Sequence, residues 1–246
     1  MKNKFVKILF WITLFGIAMA FIETSVVSYL RNLYYPEGFS FPLKIIEEQI
    51  GTIEFFREFA TIVMLISVAV IVGKNKLQQF AYFIYAFAIW DIFYYIFLKI
   101  ILNWPESLLT FDVLFLIPVT WVGPIIAPIV CSITMIFFAL SIIYLQDKNM
   151  SVKIKINESL ILIVGSIIVV ISFLVDYLRF LSNKFSFYEI LTYSWASEAN
   201  KILEQYTPEK FNWLIFIVGM LIIFIGIVKF IIRNGYLYIN KAKSFK

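Results

Sequence analysis

Six nearly uninterrupted apolar stretches alternate with short polar segments along this chain. They cover residues 8–30, 53–73, 79–102, 122–145, 158–178 and 212–232, each close to the ~20 residues a helix needs to cross a bilayer. The pattern predicts an all-α polytopic membrane protein of six transmembrane helices. Residues 1–246 form a single integral membrane domain with no internal repeat, no low-complexity tract and no second domain.

The basic residues orient the spans. Lys2, Lys4 and Lys7 precede the first; Lys74 and Lys76 follow the second; Lys148, Lys153 and Lys155 follow the fourth. Lys229, Arg233, Lys241, Lys243 and Lys246 close the chain. All four groups fall on one side when both termini are cytoplasmic. That side then holds 13 basic and two acidic residues, against eight basic and 14 acidic elsewhere, as the positive-inside rule requires. Residues 1–20 also resemble a secretory leader ending in Ala18-Met19-Ala20. Against cleavage, the apolar run continues through Val26, Val27 and Leu30, and Phe21 is a poor residue to follow a cut. Residue 31 is outside either way.

Composition narrows the chemistry. The chain is 62% hydrophobic with a mean hydropathy of +0.90, well above the ~45–50% apolar content of soluble domains. The net charge of +5 forms no long basic run, so nucleic-acid binding is rejected. There is no histidine, which excludes histidine-ligated zinc or haem and any Ser-His-Asp or Cys-His machinery within this chain. No cofactor and no metal is expected. Proton transfer here must use carboxylate, tyrosine, lysine or water. Cys131 is the single cysteine and reads as a small buried residue.

The outer segments are longer than the inner loops. Residues 31–52 mix aromatics, prolines and charges and read as an interfacial cap. Residues 103–121 are apolar but carry Pro105, Glu106, Asp112 and Pro118, too broken for a simple span. The expectation is a short helix over 106–117, lying in or dipping into the outer leaflet, with an ordinary proline-punctuated loop as the alternative. Two short amphipathic helices are expected at 185–193 and 197–206.

Charges inside the apolar stretches carry the candidate chemistry, because a charge in hydrocarbon costs roughly 2.5–3.5 kcal/mol even on the lenient insertion scale. With a rise of about 1.5 Å per residue, Glu23 lies roughly 22 Å up the first span, Glu58 roughly 8 Å down the second and Asp91 roughly 18 Å up the third. Three helices therefore present carboxylates to one outer-half layer. Glu54 and Glu58 share a helix face, with Arg57 placed to neutralise one of them. Asp91, Tyr94, Tyr95 and Lys99 form one stripe. Arg31 ends the first span and can drop back toward Glu54; Asp112 comes from the broken segment. The acids outnumber the bases, so at least one carboxyl should be protonated or bound to a cation.

The known intramembrane protease signatures fail. Glu47-Glu48 is followed by Gly51 and Thr52 where an arginine would be needed, and paired intramembrane aspartates in the presenilin-like contexts are absent. No phosphate-binding glycine loop and no small-xxx-small stripe dominates.

The run Trp90-Asp91-Ile92-Phe93-Tyr94-Tyr95, then Asn103 to Leu109, Asp112 and Leu114 to Pro118 through Trp121 and Pro124, resembles a family of uncharacterised bacterial polytopic inner-membrane proteins. Arg57 to Thr61 and the Tyr34-Tyr35-Pro36 turn resemble it too. The resemblance covers roughly residues 20–130. It implies a bacterial integral membrane protein and carries no activity, cofactor or ligand.

The leading expectation is an enzyme or binding protein for a membrane lipid or other hydrophobic small molecule, lipid-like or isoprenoid, reached from the outer leaflet. Asp91 and Glu58 would be its catalytic acid/base pair. Arg57, Glu23, Tyr94, Tyr95, Glu54 and Asp112 would be ligand-binding. A proton- or cation-coupled small transporter, or a membrane substrate-binding subunit, is the second reading. A structural partner in a membrane complex is the third, with the charges pairing among themselves.

Overall fold

The computed structural model describes residues 2–44, 46–115, 120–148, 152–185 and 204–244, with side chains described between residues 5 and 235. These residues form α1 (Lys2–Tyr34), α2 (Glu48–Val72), α3 (Lys76–Leu102), β1 (Phe111–Phe115), β2 (Trp121–Pro124), α4 (Ile126–Asp147), α5 (Ile156–Ser182) and α6 (Trp213–Ser244). The described residues are all-helical but for one small hairpin, and the six helices are long and apolar enough to cross a membrane. Their outward faces fit lipid as the solvent: exposed large apolar side chains recur along every helix, with Ile71 82% exposed and Leu214 74%, an apolar surface far larger than water-soluble monomers carry.

Two ends follow from the connections. The hairpin end carries the close of α1, α3 and α5 and the start of α2, α4 and α6; the other carries both chain termini. Helix α3 is the hub. It packs against α1, α2 and α4, while α6 packs against α5 and, less extensively, against α4. Ala81, Ala86 and Ala88 of α3 are buried and let its neighbours approach. Hydrophobic burial drives little association in lipid, so close packing and polar links must hold the helices. The tightest crossing is α5 on α6. A Cβ at Gly165 would lie 2.9 Å from the Ile223 nitrogen, and one at Gly219 would lie 2.9 Å from the Val169 nitrogen. Two isolated glycines make this contact, which no spacing motif announces. At the termini end Arg233 of α6 donates to Glu158 of α5 from Nε (2.6 Å) and Nη2 (2.7 Å) and to the Lys153 carbonyl (2.6 Å). The Lys155 N–H also donates to Glu158, at 2.9 Å.

The broken segment departs from expectation. The described part of 106–117 holds no helix; Phe111–Phe115 is a strand, paired antiparallel with Trp121–Pro124. Phe111 faces Pro124, Asp112 faces Gly123 and Val113 faces Val122, with an irregularity before Phe115 meets Trp121. The aromatic and β-branched run suits a pleated surface. The ladder also satisfies backbone groups that a loop would leave bare beside hydrocarbon. Consequently α4 begins at Ile126, later than the apolar run, and the Ile125 and Ile126 N–H groups donate back to Thr110 (3.1 Å) and Leu108 (2.8 Å). The hairpin packs against α5 and caps the hairpin end. Of the two amphipathic helices expected at 185–193 and 197–206, all but Phe185 and residues 204–206 lie outside the described residues.

Candidate functional site

Beneath the hairpin lies a cavity of about 1030 Å³, walled by all six helices and by β1 and β2. Its upper wall holds every sequence-predicted site residue: Glu23 from α1, Glu54, Arg57 and Glu58 from α2, Asp91, Tyr94 and Tyr95 from α3, and Asp112 from β1. These residues, expected from helix rise to share a layer, line one cavity. Glu23 meets Arg57 across α1 and α2, and the Thr24 hydroxyl reaches the Tyr94 carbonyl at 3.4 Å across α1 and α3.

The charges in this layer form three groups. In the first, Arg57 donates from Nε to Glu54 at 2.7 Å and from Nη1 to Glu23. Glu58 acts on the same guanidinium. One arginine thus bonds two carboxylates beside a third, and it joins α1 to α2, which share no extended packing surface. Arg57 is consequently engaged by protein acids, more a strut than a free hand for a ligand.

In the second group Arg31 donates from Nη2 to Asp112 at 3.0 Å. This differs from the expectation that Arg31 would drop back toward Glu54. The hairpin decides it, by hanging Asp112 beside the end of α1. The Arg31 guanidinium also lies 3.8 Å from the Trp104 ring centroid and 4.2 Å from that of Phe39. Two aromatic faces and a carboxylate make a desolvated seat that suits the planar guanidinium. Tyr95 acts on Asp112 as well.

Asp91 stands in the third group. Its Oδ2 accepts from the Ser132 hydroxyl of α4 at 2.8 Å. Both Asp91 and Glu58 reach the cavity, yet they are not brought together as a bonded pair: Asp91 is held by α4 and Glu58 belongs to the Arg57 group. The proposed stripe is also shorter than its spacing suggested. Lys99 turns away to donate to the Asn103 (3.2 Å) and Pro105 (2.9 Å) carbonyls, where it caps α3. Asp176 accepts from the Tyr206 hydroxyl at 2.7 Å, and it is not part of the cavity wall. Burial, reinforced by that hydrogen bond, pushes the Tyr206 phenol above its usual range.

Several wall residues had no signal of their own in the sequence. Ser132 and Thr61 are polar residues inside apolar runs, a cue too common to weigh. Phe87, Trp90, Phe115, Trp121 and Phe173 line the cavity as a continuous aromatic series, with Phe87 to Phe115 at 6.2 Å, Phe115 to Trp121 at 5.7 Å and Trp121 to Phe173 at 6.4 Å. Cys131 also reaches the wall, with its thiol 3.8 Å from the Met220 sulfur.

The ionisable lining is lopsided. Glu23, Glu48, Glu54, Glu58, Asp91 and Asp112 face Arg31, Lys44 and Arg57. Below the layer the wall turns apolar: Ile84, Met135, Phe138, Leu162, Val169, Ile223 and Ile227. No group of three or more acids or cysteines suited to a metal ion occurs among the described residues. Comparison with family models, with curated proteins and with solved structures finds no match to this chain.

Proposed function

We propose that this chain is a bacterial inner-membrane protein, both termini cytoplasmic, that binds an amphipathic lipid-like molecule in the outer half of the bilayer. The polar end would sit in the Glu58, Asp91, Tyr94 and Tyr95 layer and the apolar part below it. The supporting observation is the cavity's division into an acid-rich upper wall and an apolar lower wall. Pockets of this kind use a few placed polar groups for orientation and an apolar lining for affinity.

The surplus of carboxylates favours a polar end that donates hydrogen bonds, a hydroxyl or an amine, over a bare phosphate. Asp91 is the group best placed to accept such a donor. Its only hydrogen-bond partner among the described residues is a neutral serine, so no resident cation competes for it. Glu58 can accept a second donor from α2. An enzymatic version of this reading uses the same two carboxylates as acid and base on that hydroxyl or amine. A coupled transporter is the weaker reading, since the lower wall offers no charged stepping stone.

The test is to purify wild type, Asp91→Asn and Glu58→Gln in mild detergent and to identify retained lipid by mass spectrometry. A discrete hydroxyl- or amine-bearing lipid should accompany wild type and be depleted in both variants. An unchanged lipid profile in both, with unchanged host growth, ends the proposal.

A further inference from the structure

On one flank the cavity comes close to the bundle's outer surface. A second, shallower groove of about 390 Å³ runs along the lipid-facing side of α5, lined by Phe80 of α3 and Leu162, Ile163, Ser166, Ile167, Val170 and Ile171. Phe80, Leu162, Ser166 and Val170 line both spaces. One layer of side chains therefore separates the cavity from bulk lipid. Helix packing explains the thin wall: α5 has no extended interface with α2 or α3. The bundle is thinnest on that flank, between Phe80 and the α5 face.

The residues at the junction fit a passage. Ser166 is exposed, small and without a hydrogen-bond partner among the described residues, in a stretch built, apart from Gly165, of Ile, Val and Leu. Phe80 is 43% exposed, and its ring has one aromatic neighbour among the described residues, Phe138 at 6.3 Å. A water-filled polar pathway is ruled out here by the lining, which is apolar apart from Ser166.

We infer that the gap between α3 and α5 is a lateral portal, and that the apolar wall beneath Asp91 holds a long hydrocarbon chain of a lipid that enters through it. This rests on the reading above and adds the ligand's shape. Asp91 and Phe80 are 11 positions apart on one helix, roughly 16 Å at about 1.5 Å per residue, which accommodates roughly a dozen extended methylenes. The remainder of a longer chain runs out through the portal into the membrane.

The experiment uses the full chain reconstituted in vesicles, with two probes: a monoacylglycerol and a long-chain primary amine, each bearing a diazirine at the chain end. After photolysis, adducts are mapped by peptide mass spectrometry. Adducts on Ile84, Met135 or Ile223, which face the cavity, are expected with at least one probe, alongside surface adducts on Ile163 and Ile167. Ser166→Trp, or Val170→Trp as an independent plug, should cut the interior adducts at least tenfold and leave the surface adducts unchanged, which also reports an intact fold. Surface adducts alone in wild type, or interior adducts indifferent to both plugs, overturn the portal. Interior adducts that survive Asp91→Asn and Glu58→Gln, with co-purified lipid unchanged, keep the portal and remove the polar-layer reading. Depletion of that lipid with only surface adducts does the reverse.

Discussion

Replacing Arg57 by methionine removes the cation that ties Glu23 and Glu54 together. The Arg57, Glu23 and Glu54 side chains keep only 20%, 13% and 8% of their exposure. Breaking a fully buried pair typically costs about 3–5 kcal/mol. Partial access to the cavity reduces that, so about 2–3 kcal/mol is expected. At about 2–4 °C per kcal/mol for a chain of this size, the apparent unfolding temperature should fall by roughly 4–12 °C. The loss arises from stranded carboxylates rather than from a lost ligand contact. Arg57→Met combined with Glu23→Gln and Glu54→Gln should therefore recover most of it. The assay is thermal unfolding of purified protein in one detergent, followed by intrinsic fluorescence and by retention on size exclusion. Arg57→Met as stable as wild type, or no recovery in the triple variant, refutes the strut assignment.

Other outcomes follow from single contacts. Gly219→Leu places a side chain against α5 backbone that cannot retreat; it should cost more than about 3 kcal/mol or block monodisperse purification, whereas Gly51→Ala, with open space around it, should behave as wild type. Arg31→Lys keeps the charge but loses the stacked fork between Phe39 and Trp104, a loss of about 2 kcal/mol by the same thermal assay. Tyr206→Phe leaves Asp176 without its donor and should cost about 1 kcal/mol. The raised Tyr206 phenol gives a pH signature: the folded state holds this proton more tightly than the unfolded state, so its contribution is intact below about pH 10 and declines as pH rises further. Tyr206→Phe should flatten the alkaline limb of the stability profile; an unchanged limb counts against the assignment.

Six spans, the hairpin-end layer and its members were legible in the chain itself, because hydropathy and helix rise are one-dimensional quantities. Counting about 1.5 Å per residue along three helices singled out Glu23, Glu58 and Asp91, which line one cavity. Lipid as solvent strengthens this legibility, since any charge in such a run is costly and stands out. What the count could not supply was azimuth and partner. Arg57 chose Glu23 and Glu54, Arg31 chose Asp112 over Glu54, and Asp91 took Ser132 from a helix about 40 residues away because of how α1, α2 and α4 turn around α3. The β-hairpin replaced an expected helix, because inter-strand bonds satisfied backbone that prolines had barred from helical pairing. The thin flank beside α5 has no sequence signal at all. It arises from which helices fail to pack, and a gap between non-neighbouring elements is a property of the assembled bundle alone.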